Sequence, residues 1–316
     1  MNAPHSRLAQ STGHTAEWTR RPERSNRFML RVMSWISLRL GRAPARVVLA
    51  GISLYFLLFS PAARAASRDY LRRALGRAPG FADVFRHFHS FASTIHDRVF
   101  LLNDRFDLFQ VKVYGKDAID EVLAQGRGAF LMGAHMGSFE VVRAIGRQQP
   151  DLKVAMLMYE ENARKLNAAL SAINPAAMQA VIPLGQVDSM LRVRAALDTG
   201  TALGILSDRT LSGDTTQRLD FLGADAAFPV GPMRLAAMLK RPVLFMSGLY
   251  LGGNRYAIHF ERLADFSATE RAARDEAIRA AMATYVTCLE RHCRATPYNW
   301  FNFFDFWHTD TDTDTE

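Results

Sequence analysis

The run Gly133-Ala134-His135-Met136-Gly137-Ser138-Phe139-Glu140 sets an imidazole and a carboxylate five positions apart. These are the two groups that general-base removal of a proton from a hydroxyl uses. On a continuous helix five positions turn about 500°, which leaves the two side chains about 140° apart around the axis. They converge only where the backbone turns between them. Gly137 can supply the unusual dihedral and Ser138 can cap a following helix. The spacing therefore reads as a strand, a His loop, a Gly-Ser turn and a helix carrying Glu140. In that arrangement His135 is neutral at rest, and Glu140 orients it and stabilises its charged form. The backbone N–H groups of Gly137 and Ser138 are candidate donors to an oxyanion. A serine nucleophile elbow is not supported, because Met136 and Glu140 occupy the positions where that turn needs glycine.

The elements around this run must bring it to a ligand. Its apolar residues, Ala129 to Ala134, place His135 just past a central strand, at the edge where open α/β sheets bind ligands. From about residue 109 onward, short β-rich apolar runs alternate with longer helical patterns. Strands are expected at 110–114, 129–133, 153–158, 180–183, 202–206, 218–221, 243–249 and 256–260. Helices are expected at 117–125, 139–147, 162–173, 189–197, 232–239 and 269–294. This alternation predicts an α/β fold, a mixed sheet flanked by helices as a sandwich.

Ahead of that core, residues 67–101 read as helical, with Phe81, Phe85, Phe88, Phe91, Ile95 and Val99 forming a core-facing stripe. His87, His89 and His96 lie in the same stretch but lack the spacing and partner cysteines of the common zinc sites. Cys288 and Cys293 stand five apart, off a common helix face, and read as free thiols.

The formal charge of +8 is unevenly spread. Residues 1–77 hold fourteen Arg, no Lys and three acids, a local net of +11. Residues 47–63 are uncharged and flanked by Arg46 and Arg64; as helix they reach about 25 Å, short of the roughly 30 Å hydrocarbon core. Three readings stay open for them: a short or tilted span, a helix in the membrane interface, and a buried core helix. Arg20, Arg21, Arg24, Arg27, Arg31, Arg39, Arg42 and Arg46 can meet anionic headgroups at about 1 kcal/mol each near the surface. These arginines are interleaved with Phe28, Trp35 and Leu38, which suits an amphipathic helix entering lipid better than a nucleic-acid arm. The apolar run starts too late for a cleavable signal peptide. The chain divides into a basic arm with a membrane-associated helix at 1–66, a catalytic domain at 67–308 and an acidic, disordered tail at 309–316.

The box from His135 to Glu140 is followed by Ser207-Asp208-Arg209-Thr210, by a block from Phe221 through Phe228-Pro229-Val230-Gly231-Pro232, and by Arg241-Pro242-Val243. In this order they resemble the lysophospholipid acyltransferase superfamily, most closely the bacterial late acyltransferases of lipid A biosynthesis. The similarity runs over residues 18–307. It implies transfer of a fatty acyl group from an acyl carrier protein thioester or coenzyme A to a hydroxyl of a lipid or glycolipid, with no metal or redox cofactor. It implies His135 as base and Glu140 as orienting carboxylate. Ser138, Asp208, Arg209 and Gly231 become substrate-binding candidates, with Arg209 suited to a phosphate or polar headgroup.

Val230 departs from the glycerophosphate acyltransferase pattern, which carries glutamate there, and so favours the lipid A-like branch. Gly231 and Pro232 can still open a helix whose N-terminus faces an anion. The expected place of work is the inner membrane, with the catalytic domain cytoplasmic. Other acceptors, namely a lysophospholipid, an amino-acid lipid or a polyene lipid, are the alternatives, as is a non-catalytic membrane lipid-binding protein. The aromatic run from Tyr298 to Trp307 either closes the core or contacts lipid.

Overall fold

The computed structural model describes residues 35, 37–39, 41–147, 153–174, 181–211 and 213–307. Most of the basic arm and all of the acidic tail lie outside them. Among the described residues, three helices come first: α1 (Arg42–Phe59), α2 (Pro61–Leu75) and α3 (Phe81–Leu102). The α/β core follows as β1 (Gln110–Tyr114), α4 (Lys116–Ala124), β2 (Ala129–Gly133), α5 (Phe139–Arg147), β3 (Val154–Tyr159) and α6 (Glu160–Ile173). It continues through β4 (Val181–Leu184), α7 (Ser189–Asp198), β5 (Ala202–Leu206), β6 (Thr216–Phe221) and β7 (Ala224–Pro229). It ends with α8 (Gly231–Met238), β8 (Pro242–Tyr250), β9 (Arg255–Asp265) and α9 (Arg274–Ala295).

Seven strands form one mixed sheet in the order β1-β9-β8-β2-β5-β3-β4, parallel throughout except for the β8–β9 pair. The expected mixed sheet flanked by helices is the observed one. β2 lies at its centre and is buried along its whole length, because helices cover both faces. Phe130 and Met132 enter one core with residues of α2, α8 and α9; Ala129 and Leu131 enter the other with residues of α4 and α5. Full burial of a side chain such as Phe130 contributes about 2–3 kcal/mol.

Two elements differ from expectation. The helix expected over 67–101 is two helices, because Gly76 ends α2 in the left-handed region and Pro79-Gly80 cannot continue it. Asp83 restarts the chain by accepting from the Gly80 N–H at 2.9 Å and pairing with Arg77 at 2.7 Å. The expected stripe on α3 is only partly internal: Phe88 and Val99 are buried, whereas Phe81, Phe91 and Ile95 are exposed. The buried face is instead mixed, with His87, Thr94 and Asp97 among its members. Strand β7 falls where no strand was expected. It pairs with β6 as a separate antiparallel hairpin, turned by Leu222 and Gly223, both at positive φ.

The apolar run of the arm is α1, and Ser60-Pro61 ends it and opens α2. By length and composition α1 can cross a membrane, and most of it is not buried against the described residues. Leu49, Ser53 and Leu57 form its buried side, while Val47, Val48, Phe56 and Phe59 face outward. Arg42 and Arg46, expected at headgroups, turn toward the protein. Arg42 makes two 2.6 Å bonds to the buried Asp97 carboxylate, which also accepts from Tyr256 Oη at 2.8 Å. Arg46 donates to Tyr250 Oη and to the Gly253 carbonyl.

Candidate active site

His135 and Asp208 meet because of strand register. β2 and β5 are parallel neighbours with Gly133 opposite Leu206. Two residues beyond each partner stand His135 and Asp208, at the C-terminal edge of the sheet. The His135 ring Nδ1 lies 2.8 Å from Asp208 Oδ1, and its backbone N–H donates to Oδ2 at 3.0 Å. With Nδ1–H donating to the carboxylate, the tautomer this network assigns leaves the lone pair on Nε2. The imidazole side chain keeps 30% of its surface exposed while Asp208 is completely buried.

Asp208 is saturated with donors. Its Oδ2 also accepts from Trp300 Nε1 at 3.0 Å and from Asn302 Nδ2 at 2.9 Å. Burial opposes its ionisation, but the His135 ring, the nearby Arg209 charge and the Asn302 amide prevail and hold the carboxyl well below the usual carboxylate range. His135 is displaced below the ordinary histidine value. Burial is the main cause, the Arg209 charge adds to it, and Asp208 opposes it. The pair thus rests as a neutral imidazole beside an ionised carboxylate.

Glu140 does not contact the imidazole. It begins α5, is buried, and pairs with Arg143 at 3.3 Å and with Arg98 of α3 at 3.8 Å, making no hydrogen bond or ion pair with His135. The reason lies in the turn. Gly137 adopts φ 61°, its N–H donates to the Asn299 carbonyl at 2.8 Å, and the Ser138 N–H donates to the Gly248 carbonyl at 2.7 Å. These bonds dock the loop onto the end of β8 and direct the first turn of α5 toward α3. They also engage the Gly137 and Ser138 N–H groups, so these are not free oxyanion donors. Ser138 is buried directly ahead of α5.

Gly137 and Gly248 are both required at this contact. A Cβ on Gly137 would overlap the Gly248 carbonyl, and one on Gly248 would overlap the Ser138 carbonyl.

Arg209 turns into the C-terminal segment. Its Nε donates to Asn302 Oδ1 at 2.7 Å, one Nη donates to the Phe301 carbonyl at 3.2 Å, and the guanidinium lies 5.5 Å over the Phe304 ring. Gly231 occupies the exposed N-terminus of α8, outside the His135–Asp208 network; Val230 beside it is buried.

The sequence reading missed the C-terminal segment as the support of the site. The Phe301 N–H donates to the His135 carbonyl at 2.7 Å. Asn299 bonds both main-chain groups of Tyr250 with its side-chain amide. The Trp300 carbonyl takes a 2.7 Å bond from His87 Nε2, whose Nδ1 meets Ser67 Oγ at 2.8 Å. His87, His89 and His96 have separate partners, so they form no metal cluster among the described residues. A usable signal was present: asparagines at 299 and 302 within an aromatic run need polar partners once buried.

The arrangement can accept a proton on a partly exposed imidazole and hold the resulting charge against a buried carboxylate. The family model for bacterial lipid A biosynthesis acyltransferases matches residues 34–309, which include every residue of this network. No curated protein matches the chain.

Proposed function

The chain belongs to the bacterial lipid A biosynthesis acyltransferase family, and on that premise we propose that it is an O-acyltransferase whose base is His135, oriented by Asp208. The observation that carries this reading is the 2.8 Å bond from a partly exposed imidazole to a buried, donor-saturated carboxylate at the sheet's C-terminal edge.

His135 Nε2 takes the proton of the acceptor hydroxyl as its oxygen bonds to the carbonyl carbon of an acyl thioester. The tetrahedral intermediate collapses by breaking the C–S bond, and the departing thiolate takes the proton back from the imidazolium. The products are an ester and a free thiol. Asp208 stabilises the transient imidazolium, and Glu140 acts through position, tying α5 to α3 through Arg98 while Arg143 pairs with it from one turn along α5.

The donor is an acyl carrier protein thioester or acyl-coenzyme A, and no metal or redox cofactor enters the reaction. The acceptor is a lipid A-type glycolipid hydroxyl, a choice supported by the family and by Val230 at the position where a glycerophosphate enzyme carries glutamate. α1 associates with the inner membrane through Val47, Val48, Phe56 and Phe59, leaving the catalytic domain cytoplasmic.

The test is to incubate detergent-solubilised protein with labelled acyl carrier protein or coenzyme A thioester and a lipid extract, then identify the labelled lipid by mass spectrometry. Wild type should label a glycolipid and His135→Ala should not. Label on a lysophospholipid or amino-acid lipid would correct the acceptor, and equal transfer by His135→Ala would refute the catalytic assignment. Sedimentation with membranes tests α1: wild-type protein left in the supernatant would refute its anchoring role.

A further inference from the structure

Away from His135, three side chains converge where β9 packs beneath the last turn of α9. His259 and Glu261 are two apart on β9 and share one face of the sheet, and His292 comes down from the helix. Their ligand atoms all lie within 4.8 Å of one another. His292 Nε2 meets Glu261 Oε1 at 2.6 Å, and Arg291 holds the other carboxylate oxygen. The rings are fixed by stacking: His292 lies 5.2 Å from Phe245 at 8°, and His259 lies 4.8 Å from Tyr114 at 15°. The two imidazoles are 4.8 Å apart and steeply inclined to each other. No hydrogen bond to the His259 ring occurs among the described residues.

We propose that His259, Glu261 and His292 bind a divalent transition-metal ion of zinc type, with water as a fourth ligand. Two imidazoles and one carboxylate are a donor set that zinc accepts in tetrahedral geometry. Ligands at about 2.1 Å from such an ion stand about 3.4 Å apart, so the widest separations, within 4.8 Å, close by up to about 1.4 Å while the 2.6 Å His292–Glu261 pair opens by about 0.8 Å to admit the ion. Glu261 is part-exposed and can make that movement by releasing Arg291. On binding, the proton on His292 Nε2 passes to Nδ1, so the imidazole ligates as a neutral group without net proton release.

The ion is structural. It clamps β9 to the end of α9, and the chain then runs directly through the turn Pro297–Asn299 to Trp300 and Asn302, both donors to Asp208. This assignment is independent of the acyl-transfer reading.

Full-length protein in detergent, stripped with a chelator, is titrated with zinc by calorimetry and with cobalt(II) by visible absorption. One equivalent should bind, raise the thermal midpoint and give the ligand-field bands of tetrahedral cobalt. His259→Ala, a part-exposed site with no hydrogen bond to lose, and Glu261→Gln, which keeps a bond to His292, should each weaken binding about 100-fold or more. Arg291→Ala removes the competing cation and should tighten it. Circular dichroism verifies that each variant is folded. Absence of a saturable equivalent on wild type, or equal affinity in all three variants, would overturn the site and leave the cluster an ion-pair network only.

Discussion

The backbone N–H and the ring Nδ1 of His135 both end on the Asp208 carboxylate, at 3.0 and 2.8 Å, so one buried acid fixes the loop and the tautomer together. That double attachment fixes the imidazole, and in the proposed reaction the charged form of this base is already provided for. The proposed orienting residue is thus 73 positions away in sequence, reached through the pairing of β2 with β5.

The resting state predicts the pH dependence. Burial and Arg209 displace His135 below the ordinary histidine value, and only the neutral ring accepts a proton. kcat/KM should therefore rise with pH through a midpoint below about 6.5 and level off toward neutrality. A pH–rate profile measured with a fixed thioester donor checks this. A rate that declines between mildly acidic and neutral pH contradicts a neutral base.

The turn at Gly137 should tolerate no side chain. Its φ of 61° and the facing Gly248 carbonyl combine left-handed strain with steric overlap. Gly137→Ala should destabilise the fold by about 2–4 kcal/mol and displace His135. Chemical denaturation and the transfer assay should report both losses, and a wild-type denaturation midpoint contradicts the geometry.

Arg42 should matter to folding through a buried charge. Asp97 is 1% exposed and relies on the Arg42 guanidinium and Tyr256. Arg42→Ala leaves that carboxylate uncompensated, a loss of about 3–5 kcal/mol. The double variant Arg42→Ala with Asp97→Asn should recover part of it. Denaturation of both variants checks the prediction, and additive losses contradict it.

His87 should make stability pH-sensitive. Burial pushes its pKa down to about 4, below the ordinary value near 6.5 of the unfolded chain. Between these values the unfolded state binds more protons, so the contribution is present above about pH 6.5 and is lost as pH falls toward 4. The change amounts to about 3 kcal/mol at most, at 1.4 kcal/mol per pH unit. His87→Gln should flatten the stability curve over that window, and an unchanged slope contradicts it.

Much of this architecture was legible in the chain. The apolar runs of β2, β5 and β8 marked buried strands because helices cover both faces of the sheet, and the run before His135 placed it at the sheet edge. β7 escaped because Ala224, Asp225, Ala226 and Ala227 have weak strand preference; the Leu222-Gly223 turn and pairing with β6 impose the strand. Asp208 was visible as part of a motif, but its partner depended on which strands are neighbours, which local spacing does not encode. Nearness in sequence points to Glu140 as the orienter, yet the bonds from Gly137 and Ser138 turn it toward Arg98 and Arg143. Trp300 and Asn302 read locally as members of an aromatic cluster because their acceptor, Asp208, lies more than ninety residues earlier, just past β5.

In the proposed reaction Asp208, and not Glu140, orients the base. The direct measurement is single-turnover acyl transfer from labelled thioester by folded Asp208→Asn and folded Glu140→Gln, each beside wild type at saturating donor and acceptor. Asp208→Asn should lower the chemical rate by about 10²–10⁴-fold, while Glu140→Gln, which keeps a hydrogen-bonding group toward Arg98 and Arg143, should lower it by about tenfold or less. A collapse in Glu140→Gln with near wild-type turnover in Asp208→Asn would contradict the account.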